Sequence, residues 1–242
     1  MCVLACGVVL LGACSREYPT ELMNAAKDGN LKAVQDVVQR GADVGERSNK
    51  GKRALMFAAS EGHLDVAQWL VEQGADVNVA DNYGTTALIV AATAGHHAVV
   101  KLLLEHGANI HVRDDSGGAA LVNAVYFGHT ETVQLLLDAL SRNETPPLDK
   151  RDGEELLMLA SGLGHVEIVR LMVAAGIDAN GRGLKRRTPL MAAAAFDRAE
   201  VARILLAQGA DPQAQDDDGN TALMVARDKG SAKVTALLAA SR

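Results

Sequence analysis

The sequence is poor in aromatic residues and, past position 14, has no cysteine. Phe, Tyr and Trp make up 3% of 242 residues: three Phe, three Tyr and one Trp. Because 48% of the chain is apolar, its interior must be aliphatic and alanine-rich. That suits helix-on-helix packing and argues against an aromatic-lined cofactor cavity. All three cysteines, Cys2, Cys6 and Cys14, precede residue 15, so the rest of the chain has neither a disulfide nor a thiol nucleophile. The formal charge of −6 argues against sequence-independent nucleic-acid binding, which needs a cationic face. No Ser-His-Asp order, phosphate loop, HExxH or CxxC is present. The acids Asp114-Asp115 and Asp216-Asp217-Asp218 are expected on exposed turn tips, a poor setting for acid–base work. No catalytic residue, resident metal or cofactor is therefore expected, and the chain does not read as an enzyme.

What the sequence does have is a period. Leucines recur at Leu22, Leu55, Leu88, Leu121, Leu157, Leu190 and Leu223, with spacings of 33, 33, 33, 36, 33 and 33. Seven residues after each comes Gly29, Gly62, Gly95, Gly128, Gly164 or Gly230, with Asp197 the one exception. Such a period marks a stacked array in which neighbours cover one another's apolar faces. The third unit predicts a first helix over 86–93, with Thr86 suited to capping its start, and Gly95 ends it by taking φ > 0. His96 opens a second helix carrying Val99, Val100, Leu102, Leu103 and Leu104, and Gly107-Ala108-Asn109 stops it. The stretch 110–117 forms an extended finger. Ala91-Ala92 recurs as Ala25-Ala26, Ala58-Ala59 and Ala193-Ala194, which lets neighbouring first helices approach closely.

On these residues the chain resembles the ankyrin repeat. The matching positions are Asp81, Gly84, Thr86, Leu88, Ala91, Ala92, Gly95 and His96, with Gly74-Ala75-Asp76-Val77-Asn78. The resemblance implies an all-α fold: an ankyrin-repeat solenoid of seven helix-turn-helix units with β-hairpin-like fingers. It covers a domain over 20–242, with units starting near residues 20, 53, 86, 119, 155, 188 and 221. There are departures. Only Thr188-Pro189-Leu190 keeps the family's full T-P-L, and the family's following His is replaced by Met23, Met56, Ile89, Val122, Met158, Met191 and Met224. The fourth unit lacks the Gly-Ala stop and runs into Pro146-Pro147, which force an extended loop.

Residues 2–13 form an uncharged apolar run, too short to span a bilayer as a helix and matching the h-region of a secretory signal. No basic segment precedes it. Its end, Leu11-Gly12-Ala13-Cys14, resembles the bacterial lipobox. That resemblance implies a signal peptide over 1–13, lipidation at Cys14 and a lipidated tether over 14–19. Ser15 stands where Asp would retain a lipoprotein in the inner membrane, which implies an outer-membrane lipoprotein facing the periplasm. The five or so residues after Cys14 reach at most roughly 18 Å, so the array is expected close to the membrane.

His63, His96, His129 and His165 share one position in their units, too far apart on successive helices to converge on a single metal, and they read as polar starts of second helices. The methionines Met23, Met56, Met158, Met191 and Met224 read as gap-filling core, although a soft copper stripe is conceivable. Trp69 likewise reads as core. In ankyrin proteins partners bind a concave face made of the fingers and the exposed ends of the first helices. The two positions before each unit glycine read Lys27-Asp28, Ser60-Glu61, Thr93-Ala94, Tyr126-Phe127, Gly162-Leu163, Ala195-Phe196 and Asp228-Lys229. The ends are charged and the middle is apolar, the pattern of an interaction site with a polar rim. The expected partner-binding residues are Tyr83, Tyr126, Phe127, Leu163 and Phe196, with Leu184, Arg186 and Arg187 from a basic finger that also holds Arg182 and Lys185. That finger is expected either to meet a partner's carboxylates or lipid headgroups or to pair with Asp216–Asp218. The expected partners are one protein and, through Cys14, a membrane, with no nucleic acid and a monomeric chain. Two sharper roles are also open: immunity against a secreted toxic enzyme, and oxidative-stress protection.

Overall fold

The computed structural model describes residues 19–142 and 148–240. The signal segment, Cys14, most of its tether and the Pro146-Pro147 loop lie outside the described residues. Among those described, fourteen α-helices follow one another as seven pairs. They are α1 Glu21–Lys27 and α2 Leu31–Gln39, α3 Ala54–Glu61 and α4 Leu64–Glu72, and α5 Ala87–Ala94 and α6 His97–Glu105. Then come α7 Ala120–Phe127 and α8 Thr130–Ser141, α9 Lys150–Leu163 and α10 Val166–Ala174, α11 Pro189–Ala195 and α12 Ala199–Ala207, and α13 Ala222–Asp228 and α14 Ala232–Ala240. The all-α expectation holds. Extended pairing among the described residues is limited to isolated bridges, Ala80 with Thr86 and Arg113 with Ala119, at the bases of fingers.

The pairs fall into two compact bodies, one up to Ala119 and one from Ala120. In the first, α3 lies against both α1 and α5, while α4 lies against α2 and α6. Ala25, Ala26, Ala58, Ala59, Ala91 and Ala92 are all buried, so the first helices meet through small side chains, as the alanine pattern requires. Leu22, Leu55 and Leu88 from the first helices meet Val34, Leu70 and Leu103 from the second in the same core. The second body repeats the arrangement: α9 lies against α7 and α11, α11 against α13, and α10 against α8 and α12. Its core holds Leu121, Leu157, Leu190 and Leu223 with Leu136, Met172, Leu205 and Leu238.

Helix starts follow the sequence closely. Thr20, Thr86, Thr188 and Thr221 each cap a first helix by accepting the N3 backbone N–H, and Pro189 takes N1, where no amide hydrogen is needed. The replaced family His leaves a partial substitute: the Thr20 and Thr221 amides point at the Met23 and Met224 sulfurs at 3.5 Å. The fifth repeat departs from register. Helix α9 begins at Lys150, ahead of the unit start near 155, because Asp149 caps it by accepting the Arg151 amide at 2.8 Å. The methionine expectation holds for Met23, Met56 and Met191, which are buried. Met158 is half-buried, and Met224 must be corrected: it is 54% exposed, on a side of α13 that its packing against α11 and α14 leaves uncovered. Trp69 is half-buried on α4.

Candidate functional site

Each first helix ends on carbonyl groups without intrahelical partners, and at four boundaries the next repeat supplies a donor. His63 Nε2 donates to the Lys27 carbonyl at 2.9 Å and His96 Nε2 to that of Ser60 at 3.0 Å. In the second body His165 Nε2 donates to the Tyr126 carbonyl at 3.3 Å. His63, His96 and His165 are thus inter-repeat clamps, a role more specific than a polar helix start. The equivalent position in the sixth repeat is Arg198, whose Nε donates to the Gly162 carbonyl at 3.1 Å. These rings also explain the glycines. A Cβ on Gly29 or Gly62 would lie 2.5 Å from the His63 or His96 ring, and on Gly164 it would lie 2.8 Å from the Arg198 side chain. Gly62 at φ +79° also occupies a backbone region that other residues enter only with strain.

Two of these clamps hold helix ends that carry residues expected to meet a partner, at Tyr126 and beside Leu163. Tyr126 and Phe127 close α7, Leu163 closes α9, and Phe196 follows α11, so they sit at matching ends of three neighbouring first helices in the second body. Tyr126 and Phe127 are each 54% exposed and Phe196 is 62% exposed. Their rings do not fold away: Tyr126 meets Phe127 edge-on at 5.0 Å, Phe127 stacks on His129 at 6.2 Å, and Phe196 lies along Gly162. Leu163 is half-buried and completes the row rather than projecting from it. The row ends at Asp228 and Lys229, which pair at 3.0 Å and form a polar edge. Tyr83, also 54% exposed, belongs to the first body, at a finger tip where its carbonyl accepts the Asp115 amide.

The fingers share one hairpin. Its first residue donates its amide to the carbonyl of the fifth: Ser48 to Lys52, Asp81 to Thr85, Asp114 to Gly118 and Asp216 to Asn220, at 2.8–3.1 Å. The fourth residue is Gly51, Gly84, Gly117 or Gly219, each with positive φ. The first side chain caps the turn. Asp216 Oδ1, for instance, accepts the Asp218 and Asn220 amides at 3.0 and 2.9 Å. The Asn220 amide holds its carboxyl below the ordinary range, with burial opposing. The Ser116 hydroxyl does most of the same for Asp114. Asp216 is therefore buried in its own turn, not displayed on an exposed tip as the sequence suggested.

The basic finger does pair with its neighbour, mostly through backbone groups. Arg182 donates to the Gln215 carbonyl at 2.9 Å, the Asp217 amide donates to the Lys185 carbonyl at 3.0 Å, and Arg187 reaches Asp216 at 4.0 Å. Leu184 stands 75% exposed at the tip, and the side chains of Lys185 and Arg186 are also exposed. The sequence reading missed the clamp at Arg198 and the conformation of Arg186. The first was legible from its register with the four histidines, the second from its register with the four finger glycines.

A family model described as Ankyrin repeats (3 copies) matches residues 22–114, 110–183 and 182–242. Among solved structures, the ankyrin repeat domain of human ASB11 is similar at 29% identity and a TM-score of 0.79, the match covering 91% of this chain and 97% of that one. The ankyrin repeat domain of Bcl-3, a unique member of the IkappaB protein family, is similar at 26% identity and a TM-score of 0.73, covering 91% of this chain and 100% of that one. No curated protein matches the chain in sequence.

Proposed function

The chain belongs to the ankyrin repeat family, whose members generally serve as scaffolds for protein–protein interaction, and from that premise we propose that it is a non-catalytic binding protein holding one protein partner on the aromatic row of its second body. The observation that carries this reading is the display of Tyr126, Phe127 and Phe196, each more than half exposed, in a chain with three Phe and three Tyr in all. Completing the burial of a half-covered ring contributes roughly 1 kcal/mol, and aromatic anchors inside a polar edge are where interface energy concentrates. The clamps add preorganisation. The ends of α7 and α9 are already fixed by His165 and Arg198, so a partner need not order them.

The lipobox resemblance at Cys14 supports a second component of the proposal: a lipid anchor that sets the repeats near the outer membrane, facing the periplasm, as a monomer. Photo-crosslinking from position 127 in intact cells, followed by mass spectrometry, tests the binding function. One protein recovered from position 127 and lost from a control position on the outer face of α12 is the expected result; equal, diffuse labelling at both sites removes the proposal. Incorporation of labelled palmitate, abolished by Cys14→Ala, tests the anchor. Were the captured protein a secreted enzyme, the role would be inhibition.

A further inference from the structure

One finger breaks the rule that its four sisters keep. In the hairpin closed by the Gly183 amide on the Arg187 carbonyl at 3.0 Å, the first position is Gly183, which has no side chain to cap the turn. The fourth position is Arg186, held at φ +54°, and Lys185 before it is at φ +56°. The register is secure, since the Arg186 amide donates to the Gly183 carbonyl at 3.0 Å just as the Gly84 amide does to Asp81 and the Gly219 amide to Asp216. Left-handed backbone costs a non-glycine residue free energy that a glycine at the fourth position would spare. Gly183 is explained locally, because the end of the Met158 side chain lies over it. Arg186 and Lys185 have no such local explanation. What the departure achieves is a display: an exposed Leu184 followed by two exposed cations that form no ion pair among the described residues.

Building on the proposed binding role, we infer that this finger sets the partner's chemistry: it holds an acidic peptide segment of the partner, with Leu184 against an apolar side chain and Lys185 and Arg186 on flanking carboxylates. Two features favour a peptide over an anionic membrane. A lipid surface is read by a broad cluster of cations; of the four on this finger, Arg182 is drawn to the Gln215 carbonyl and Arg187 to Asp216, which leaves two. The exposed Asp217 and Asp218 stand on the adjoining finger, joined to this one through the Asp217 amide. They repel an extended anionic plane but leave room for single carboxylates placed opposite Lys185 and Arg186.

The test uses the full chain and three short labelled peptides, alternating Glu-Leu, Ser-Leu and Lys-Leu, read by fluorescence anisotropy, with phosphatidylglycerol vesicles as a fourth probe. The Glu-Leu peptide is expected to bind best, with an affinity that falls as salt rises. Arg186→Gly is expected to raise the melting temperature, because it restores the sister pattern, while weakening the Glu-Leu peptide several-fold and leaving Ser-Leu unchanged. Lys185→Ser is expected to lose the same preference without the stability gain. Equal binding of all three peptides, capture of the chain by vesicles in place of Glu-Leu, no binding at all, or an Arg186→Gly protein with undiminished Glu-Leu affinity would each overturn the inference. The aromatic row fails separately, since it is read by crosslinking of the protein partner from position 127 and not by these peptides.

Discussion

Asp197 Oδ1 accepts the backbone amide of Val234 at 2.9 Å, across the boundary between the sixth and seventh repeats. Asp197 is the residue that breaks the glycine series, and it keeps the left-handed conformation of that series at φ +54°. Its carboxylate has room because the position held elsewhere by His63, His96, His165 or Arg198 is Ser231 here, small and buried. The two exceptions compensate: where the glycine gains a side chain, the clamp loses one, and the side chain that ties the repeats now comes from the earlier one.

A double-mutant cycle reads this compensation. Ser231→His alone places a ring against the Asp197 carboxylate and should cost about 1–3 kcal/mol. Asp197→Gly alone removes a helix cap and should cost up to about 1 kcal/mol. Together they rebuild the Gly62–His96 arrangement, so urea titration should find the pair more stable than the sum by at least about 1 kcal/mol. Strict additivity would show that the two positions do not share one site.

His165→Ala tests whether the clamps preorganise the row. Losing its bond to the Tyr126 carbonyl should cost about 0.5–1.5 kcal/mol. The larger effect should be local. Hydrogen exchange should quicken at the Gly128 and His129 amides, which donate to Val125 and Ala124, while exchange in α12 stays unchanged. Affinity for the captured partner should fall although neither ring has been altered. Unchanged exchange at the end of α7 would refute the clamp.

Asp216 gives a pH dependence of known sign. Its folded pKa lies below the ordinary value, chiefly through the Asn220 amide, so its contribution is present above the unfolded value and is lost as pH falls through and beneath it. Asp216→Asn keeps the acceptor oxygen but cannot titrate. Wild-type stability should therefore fall toward that of the variant below about pH 4. A difference between the two that stays constant from neutral pH into acid would contradict this.

Core and row should separate cleanly under mutation. Leu157→Ala, at a fully buried leucine, should cost about 2–5 kcal/mol. Phe127→Ala and Phe196→Ala should each cost under about 1 kcal/mol, since their rings are largely exposed already, while weakening partner binding. Parallel losses of melting temperature and affinity would assign the rings to packing.

These relationships show what the sequence could carry and what it could not. The seven pairs, the caps at Thr86 and Thr188, and the alanine contacts were legible because each follows from local chemistry repeated at a fixed spacing. The exposure of Tyr126, Phe127 and Phe196 matched their position just before the unit glycine. The binding of His96 to Ser60 was not legible, because periodicity places residues in register without saying which way a ring reaches. Asp216 escapes the sequence for a related reason: three consecutive acids look like a solvated tip until the first bends back to cap its own turn. Met224 has the same register as the buried Met23, Met56 and Met191, and the period alone does not reveal that its side chain is 54% exposed.

The clamps constrain how this gene could lengthen. A tandem copy of the second repeat would set a histidine on a glycine at each new boundary, as His63 and Gly29 already do. A tandem copy of the sixth would set a second Arg198 against Asp197, where the space now belongs to a carboxylate and a serine. Growth by duplication would therefore repeat an existing boundary in the first body and create a new kind of boundary at the sixth repeat, where an arginine would meet the Asp197 carboxylate.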